Sequence, residues 1–185
     1  MGNLRSVAKA LEAAGTSVTV TSEITDIESS DALCVPGQGI FGRCMTNLAR
    51  GHFDELVRDW IDSERPYLGI CLGMQILFDD SEENDDARGL GIIPGRVTRL
   101  PATVTVPHIG WNTVSPAGEA GDEKYFYFDH SFAAHPSDEG VVAGWCEHGT
   151  RFAASIRTSS ILGTQFHPEK SGSSGIELLK DWSKA

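Results

Sequence analysis

Tyr67-Leu68-Gly69-Ile70-Cys71-Leu72-Gly73-Met74-Gln75 is the stretch on which the reading of this chain turns. An apolar, β-prone run leads into Gly69, a single cysteine follows, and from Leu72 the pattern becomes helical. A strand that crosses into a helix through Gly-X-Cys-X-Gly perches a nucleophile on a tight elbow. The glycines permit close backbone approach and unusual angles. The helix N-terminus beyond the cysteine favours its thiolate. The Leu72 N–H would then stand where an oxyanion develops. A free cysteine is also among the most buried residue types. Alone, the stretch reads equally well as a reactive thiol or a core thiol.

Upstream, the spacing predicts a helix over residues 3–14. Asn3 is its N-cap, Leu4, Val7, Ala8 and Leu11 its apolar stripe, and Gly15 its stop. Short strands are predicted over 17–21 and 31–35, the second closed by Pro36-Gly37-Gln38-Gly39, and helices over 42–48 and 53–63 before Pro66. Downstream, the acidic run 79–86 lacks EF-hand spacing and reads as a solvated loop. Strands follow over 125–128, 141–145, 151–156 and 161–166, then a closing helix over 174–182. No linker or repeat divides the chain, so residues 1–185 read as one domain. The expected class is α/β: an open, mostly parallel sheet flanked by helices, with a β-rich later section.

Fifteen basic against 26 acidic residues give a formal charge of -11. That balance argues against nucleic acid and anionic membranes as partners. No apolar run is long enough to span a bilayer, and no secretory signal pattern is present. Cys34, Cys44, Cys71 and Cys146 form neither CxxC nor a metal-ligand spacing. Such scattered thiols suit a reducing cytoplasm, and no metal is expected.

The last predicted strand runs into Gln165-Phe166-His167-Pro168-Glu169. In extended backbone, residues two apart face the same way, so His167 and Glu169 would project together. That is a base and its orienter: the carboxylate fixes the imidazole tautomer, and the imidazole takes a proton from a nucleophile. With Cys71 as that nucleophile, the three make a triad if their strands are parallel neighbours. Of the other histidines, His52, His135 and His148 read as loop or helix-end residues. His108 and His130 sit in compact Gly, Pro and Ser settings without an assigned role, and zinc-ligand spacing is missing.

GICLGMQ (69–75) with QFHPEKSG (165–172) resembles the class I, triad-type glutamine amidotransferases. PGQG (36–39), GLGIIPGRV (89–97), VPHIGWN (106–112) and YFDHSF (127–132) narrow the resemblance to the glutaminase subunits of imidazole glycerol phosphate synthases. It runs over essentially the whole chain. The resemblance implies a flavodoxin-like α/β glutaminase that hydrolyses L-glutamine without a cofactor. It also implies a (β/α)8 cyclase partner that receives the ammonia. Carried residue by residue, it makes Cys71, His167 and Glu169 catalytic and gives Gln38 and Leu72 the backbone oxyanion positions. Gly37, Gly39, Gln75, Ser131 and Phe132 become substrate-binding, and Asn3, Trp111, Asn112 and Lys170 fall near the cyclase interface.

Three departures accompany it. The family opens on a strand before the GNLRS segment, whereas this sequence starts on that segment, which implies a sheet without the usual first strand. Gln38 replaces a small or β-branched residue, which bears on how easily that peptide turns. Asp129 replaces an apolar residue beside His130, at the pocket edge or an interface. Two other readings remain at this stage. One is the glutaminase of another amidotransferase, such as pyridoxal phosphate synthase. The other is a truncated, catalytically impaired partner-binding subunit.

Overall fold

The computed structural model of the protein describes residues 4–84, 86–118 and 121–184. Asn3, expected as a helix cap and interface residue, lies outside them. α1 (Leu4–Ala13) forms on its apolar stripe, burying Val7, Ala10 and Leu11, and Gly15 with φ 99° ends the turn that follows. Residues 17–21, expected as a strand, join no ladder among the described residues. Their Val and Thr alternation is β-prone, but a strand needs a neighbour for its N–H and C=O groups. A groove of about 720 Å³ separates them from the nearest strand. The chain passes instead into the short α2 (Ile24–Glu28).

β1 (Leu33–Gly37) is followed by α3 (Phe41–Arg50) and α4 (Phe53–Asp62), the latter burying Val57, Trp60 and Ile61. β2 (Tyr67–Cys71) is buried throughout and runs directly into α5 (Leu72–Gln75). The acidic run does more than face solvent. It contains the two-residue β3 (Asp80–Ser81), and its Glu83 and Asn84 side chains accept from the Phe41 and Gly42 amides, capping α3.

The β-rich section comprises β4 (Gly95–Arg99), β5 (His108–Pro116), β6 (Lys124–His130), β7 (Phe132–Pro136), β8 (Val142–Glu147), β9 (Arg151–Arg157) and β10 (Ile161–Thr164). α6 (Gly172–Trp182) closes the chain. Seven strands share one sheet in the order β1-β2-β10-β9-β8-β5-β6, and β3-β4-β7 form a second. The expected α/β architecture and β-rich section are present, but the sheet is mixed rather than mostly parallel, with the parallel pairing confined to one end. β1–β2 and β2–β10 are parallel, whereas every later ladder of the large sheet is antiparallel. The β-rich section extends the same sheet, because its short connections favour antiparallel neighbours.

Side chains alternate across β2: Tyr67 packs with α4, while Leu68 and Ile70 pack with α1 and α6. Helices therefore cover both faces of the parallel end. Among the described residues β1 is an edge strand paired with β2 alone. Leu33 N–H donates to Pro66 on the β2 side, so the outward-facing backbone positions are those of Cys34 and Pro36. A proline there leaves no bare N–H, a common way to blunt an edge.

Candidate active site

The parallel register sets the site. Gly37 stands opposite Cys71 across β1–β2, and Thr164 opposite Ile70 across β10–β2. The loops leaving β1, β2 and β10 consequently meet at one crevice, at the carboxyl ends of the strands.

At its centre Cys71 has φ 53° and ψ -108°, a backbone state that side chains rarely adopt. The two elbow glycines do something different from what their number suggests: they make room. A Cβ on Gly73 would lie 1.8 Å from the Val35 carbonyl oxygen, and one on Gly69 would lie 2.4 Å from the Gly73 carbonyl oxygen. The strain itself sits on the cysteine. α5 is a single turn, so its contribution at Cys71 comes from the first free amides rather than from a long dipole.

His167 Nδ1 donates to Glu169 Oε1 at 2.8 Å, with side chains only 3% and 2% exposed. The pairing is as expected but the backbone is not. His167 alone is extended, and Glu169 belongs to a 3-10 turn over Pro168–Lys170 that Pro168 initiates. The buried His167 Nε2 has no hydrogen-bond partner among the described residues. Burial lowers the affinity of this imidazole for a proton, but the Cys71 sulfur and the Glu169 carboxylate outweigh it and hold its pKa up at about 9.

A cavity of about 360 Å³ opens over Cys71, at the small end of the range for ligand sites. Gln38, Gly39, Leu72, Gln75, Ser131, Phe132 and Asp129 are among the residues that line it. Gly37 is not. It packs against the elbow, where a Cβ would come within 2.8 Å of the Leu72 Cβ. Leu72 is the first residue of α5, so its N–H has no intrahelical acceptor.

Gln165 is a site residue that the sequence pattern does not single out. Its Nε2 donates to Cys71 Sγ at 3.6 Å, and its Oε1 accepts from Gln75 Nε2 at 2.9 Å. Gln75 Nε2 also donates to the Phe132 carbonyl at 2.9 Å. Gln165 was visible only as a polar residue before the His motif. Its complete burial is the signal that gives it away.

Of the expected interface residues, Trp111 and Lys170 share the outer face of β5–β6. Trp111 is 56% exposed beside Ile109 and Tyr125, and it meets Tyr127 edge to face. Lys170 Nζ lies over the Tyr127 ring and bonds Asp129 Oδ2 at 3.4 Å. Asn112 is on the opposite face, its amide turned inward to His108 and the Glu147 carbonyl. Among the described residues no group of three or more His, Cys, Asp or Glu side chains is arranged to hold a metal ion.

The glutamine amidotransferase class-I profile matches residues 1–184. The chain is 40% identical to an imidazole glycerol phosphate synthase subunit HisH of Rhodopirellula baltica, covering 100% of this chain and 94% of the relative. It is 43% identical to the subunit of that name from Methanothermobacter thermautotrophicus, covering 98% and 92%. A crystal structure of a glutamine amidotransferase superposes with a TM-score of 0.79 over 100% of this chain and 95% of the other, and at 19% identity that match speaks for the fold alone.

Proposed function

The chain belongs to the class I glutamine amidotransferases, and from that premise we propose that it is the glutaminase subunit of an imidazole glycerol phosphate synthase. The observation that carries the reading is Cys71 in the lining of the cavity, its sulfur holding up the pKa of a buried His167 that is bonded in turn to Glu169. Relatives of that name match it over nearly their whole length. The whole chain, 1–185, is one glutaminase domain in this reading.

The Cys71 thiolate adds to the side-chain carboxamide carbon of L-glutamine, and the Leu72 and Gln38 backbone N–H groups hold the oxyanion. Held at about 9, His167 carries a proton at neutral pH and gives it to the departing ammonia. A glutamyl thioester on Cys71 remains. Water then adds to it, His167 takes the water proton and returns it to sulfur, and glutamate leaves. Glu169 fixes the imidazole through Nδ1, and Gln165 orients the sulfur from below. Gly39, Gln75, Ser131 and Phe132 bind the substrate.

The ammonia passes to a (β/α)8 cyclase subunit seated on the outer face of β5–β6, with Trp111 as its aromatic anchor and Lys170 beside it. The Asp129–Lys170 contact lies between that face and the pocket, which is where docking would be felt. The scattered thiols fit a cytoplasmic enzyme, and no described helix is long and apolar enough to cross a membrane.

The test is ammonia release from glutamine, with and without the cyclase subunit and its nucleotide ligand, for the intact chain and for Cys71→Ala. The expected result is ligand-dependent stimulation of the intact chain and a loss of at least about 10³-fold in the variant. Undiminished release by Cys71→Ala would end the assignment.

A further inference from the structure

On the inner face of β5 and β6, three side chains lie in hydrogen-bonded sequence. Asn112 Nδ2 is 3.2 Å from His108 Nε2, His108 Nδ1 is 3.0 Å from His130 Nε2, and His130 Nδ1 is 2.9 Å from the Phe132 carbonyl oxygen. Both ends dictate where the protons lie. A carbonyl only accepts, so His130 Nδ1 carries its hydrogen, its Nε2 must accept, and His108 Nδ1 must donate. At the other end the Thr113 N–H donates to Asn112 Oδ1 at 2.8 Å, which fixes the orientation of the amide. One Asn112 N–H then goes to the Glu147 carbonyl at 3.1 Å and the other to His108 Nε2. A single arrangement satisfies every link, with both rings neutral and protonated on Nδ1.

Their surroundings keep the rings neutral. His108 is buried and stacks on His148 at 4.0 Å, which pushes it down to about 4. Burial pushes His130 down to about 3, against its bond to Phe132 and with help from His108, His148 and His167. The chain ends on a carbonyl that also accepts from Gln75 Nε2 and belongs to a residue lining the cavity.

We propose that Asn112 and His108, acting through the cavity-lining His130, are positioning residues for the substrate pocket: a proton-ordered chain that pins the Phe132 carbonyl against Gln75 and thereby sets the Ser131–Phe132 wall. The proposal rests on reading the cavity as the glutamine site. A cluster of rings that merely filled the core would not depend on the direction of its hydrogen bonds.

Long-range 1H–15N spectra of the histidine rings in the intact chain at neutral pH test the proton order directly. Both His108 and His130 are expected as Nδ1–H tautomers, the minor form in water; an Nε2–H or doubly protonated ring at either position overturns the proposal. Kinetics of the complex with the cyclase subunit and its ligand test the consequence. In His130→Gln the amide sits at the Nε2 position and the donor to Phe132 is lost, so KM for glutamine should rise roughly ten-fold with a smaller change in kcat. In His130→Asn an amide N–H occupies the Nδ1 position, and the rise should be several-fold smaller. Equal effects of the two substitutions overturn the proposal. Asn112→Asp, remote from the pocket and unable to donate to His108, should also raise KM and shift the His108 ring signals; unchanged values count against the chain. If the wild-type complex releases no ammonia from glutamine, the functional reading fails, and the ring spectra still decide the proton order.

Discussion

Cys71 is the strained residue of the elbow, and the residues around it have no room to let it relax. The GICLG spacing is legible in sequence because strand, nucleophile and helix start are adjacent, so local pattern carries it. The neighbours that hold the strain are not local. Val35 is brought against Gly73 by the β1–β2 ladder, and Gly37 is brought against Leu72 in the same way. Gly37, expected to bind substrate, therefore packs against the elbow just outside the cavity lining. Gly73→Ala drives a methyl into the Val35 carbonyl, backbone against backbone, and neither side can move without parting β1 from β2. A loss of about 3 kcal/mol or more is expected in urea denaturation. A loss below about 1 kcal/mol would show that the elbow is not clamped by β1.

At the scale of elements, sequence pattern succeeded where one segment supplies its own reason to fold. α4 and α6 bury most of the stripes that their spacing marks, and α1 buries Val7 and Leu11 of its stripe while Leu4 stays exposed. It failed where a partner decides. β7 (Phe132–Pro136) is short and without alternation, and it exists because β4 supplies a full antiparallel register for it. Residues 17–21 have the better strand pattern and join no ladder among the described residues. The His108–His130 contact depends on the β5–β6 register, which pairs two residues far apart in sequence; only the even spacing of His108 and Asn112 hints at a shared face. Amide hydrogen exchange should display the hierarchy. β2, paired on both sides, should be protected close to the global limit, and residues 17–21 should exchange nearly as an open chain. Within β1 the Leu33 and Val35 amides, turned toward β2, should exchange far more slowly than the Cys34 amide between them. Uniform protection across β1, or protection of 17–21, would mean that the groove beside β1 is closed in solution.

For the whole molecule, two electrostatic effects pull in opposite directions as the pH falls below neutrality. The chain carries -11 at pH 7 with a sequence pI near 4.9, so acidification toward pH 5 relieves self-repulsion and on that account should stabilise the fold. The inner histidines act the other way. His108 and His130 are held neutral with pKa values near 4 and 3, and burial also lowers His135. Their contribution is complete above the ordinary value of 6.5 and is lost as the pH falls from there toward those values, by at most about 1.4 kcal/mol per pH unit for each ring. His167 does not interfere in this window. Its raised pKa contributes fully below 6.5 and is lost only as the pH climbs toward 9. The buried rings act at close range in a poorly screened interior, whereas the surface charges are spread and screened, so the histidine effect should win. Urea midpoints should therefore fall between pH 6.5 and pH 5 despite the shrinking net charge. His130→Asn, which removes the most strongly shifted ring, should flatten that fall. A midpoint that rises through the same window, or a slope unaltered in His130→Asn, would show that the inner histidines are not held neutral by the fold.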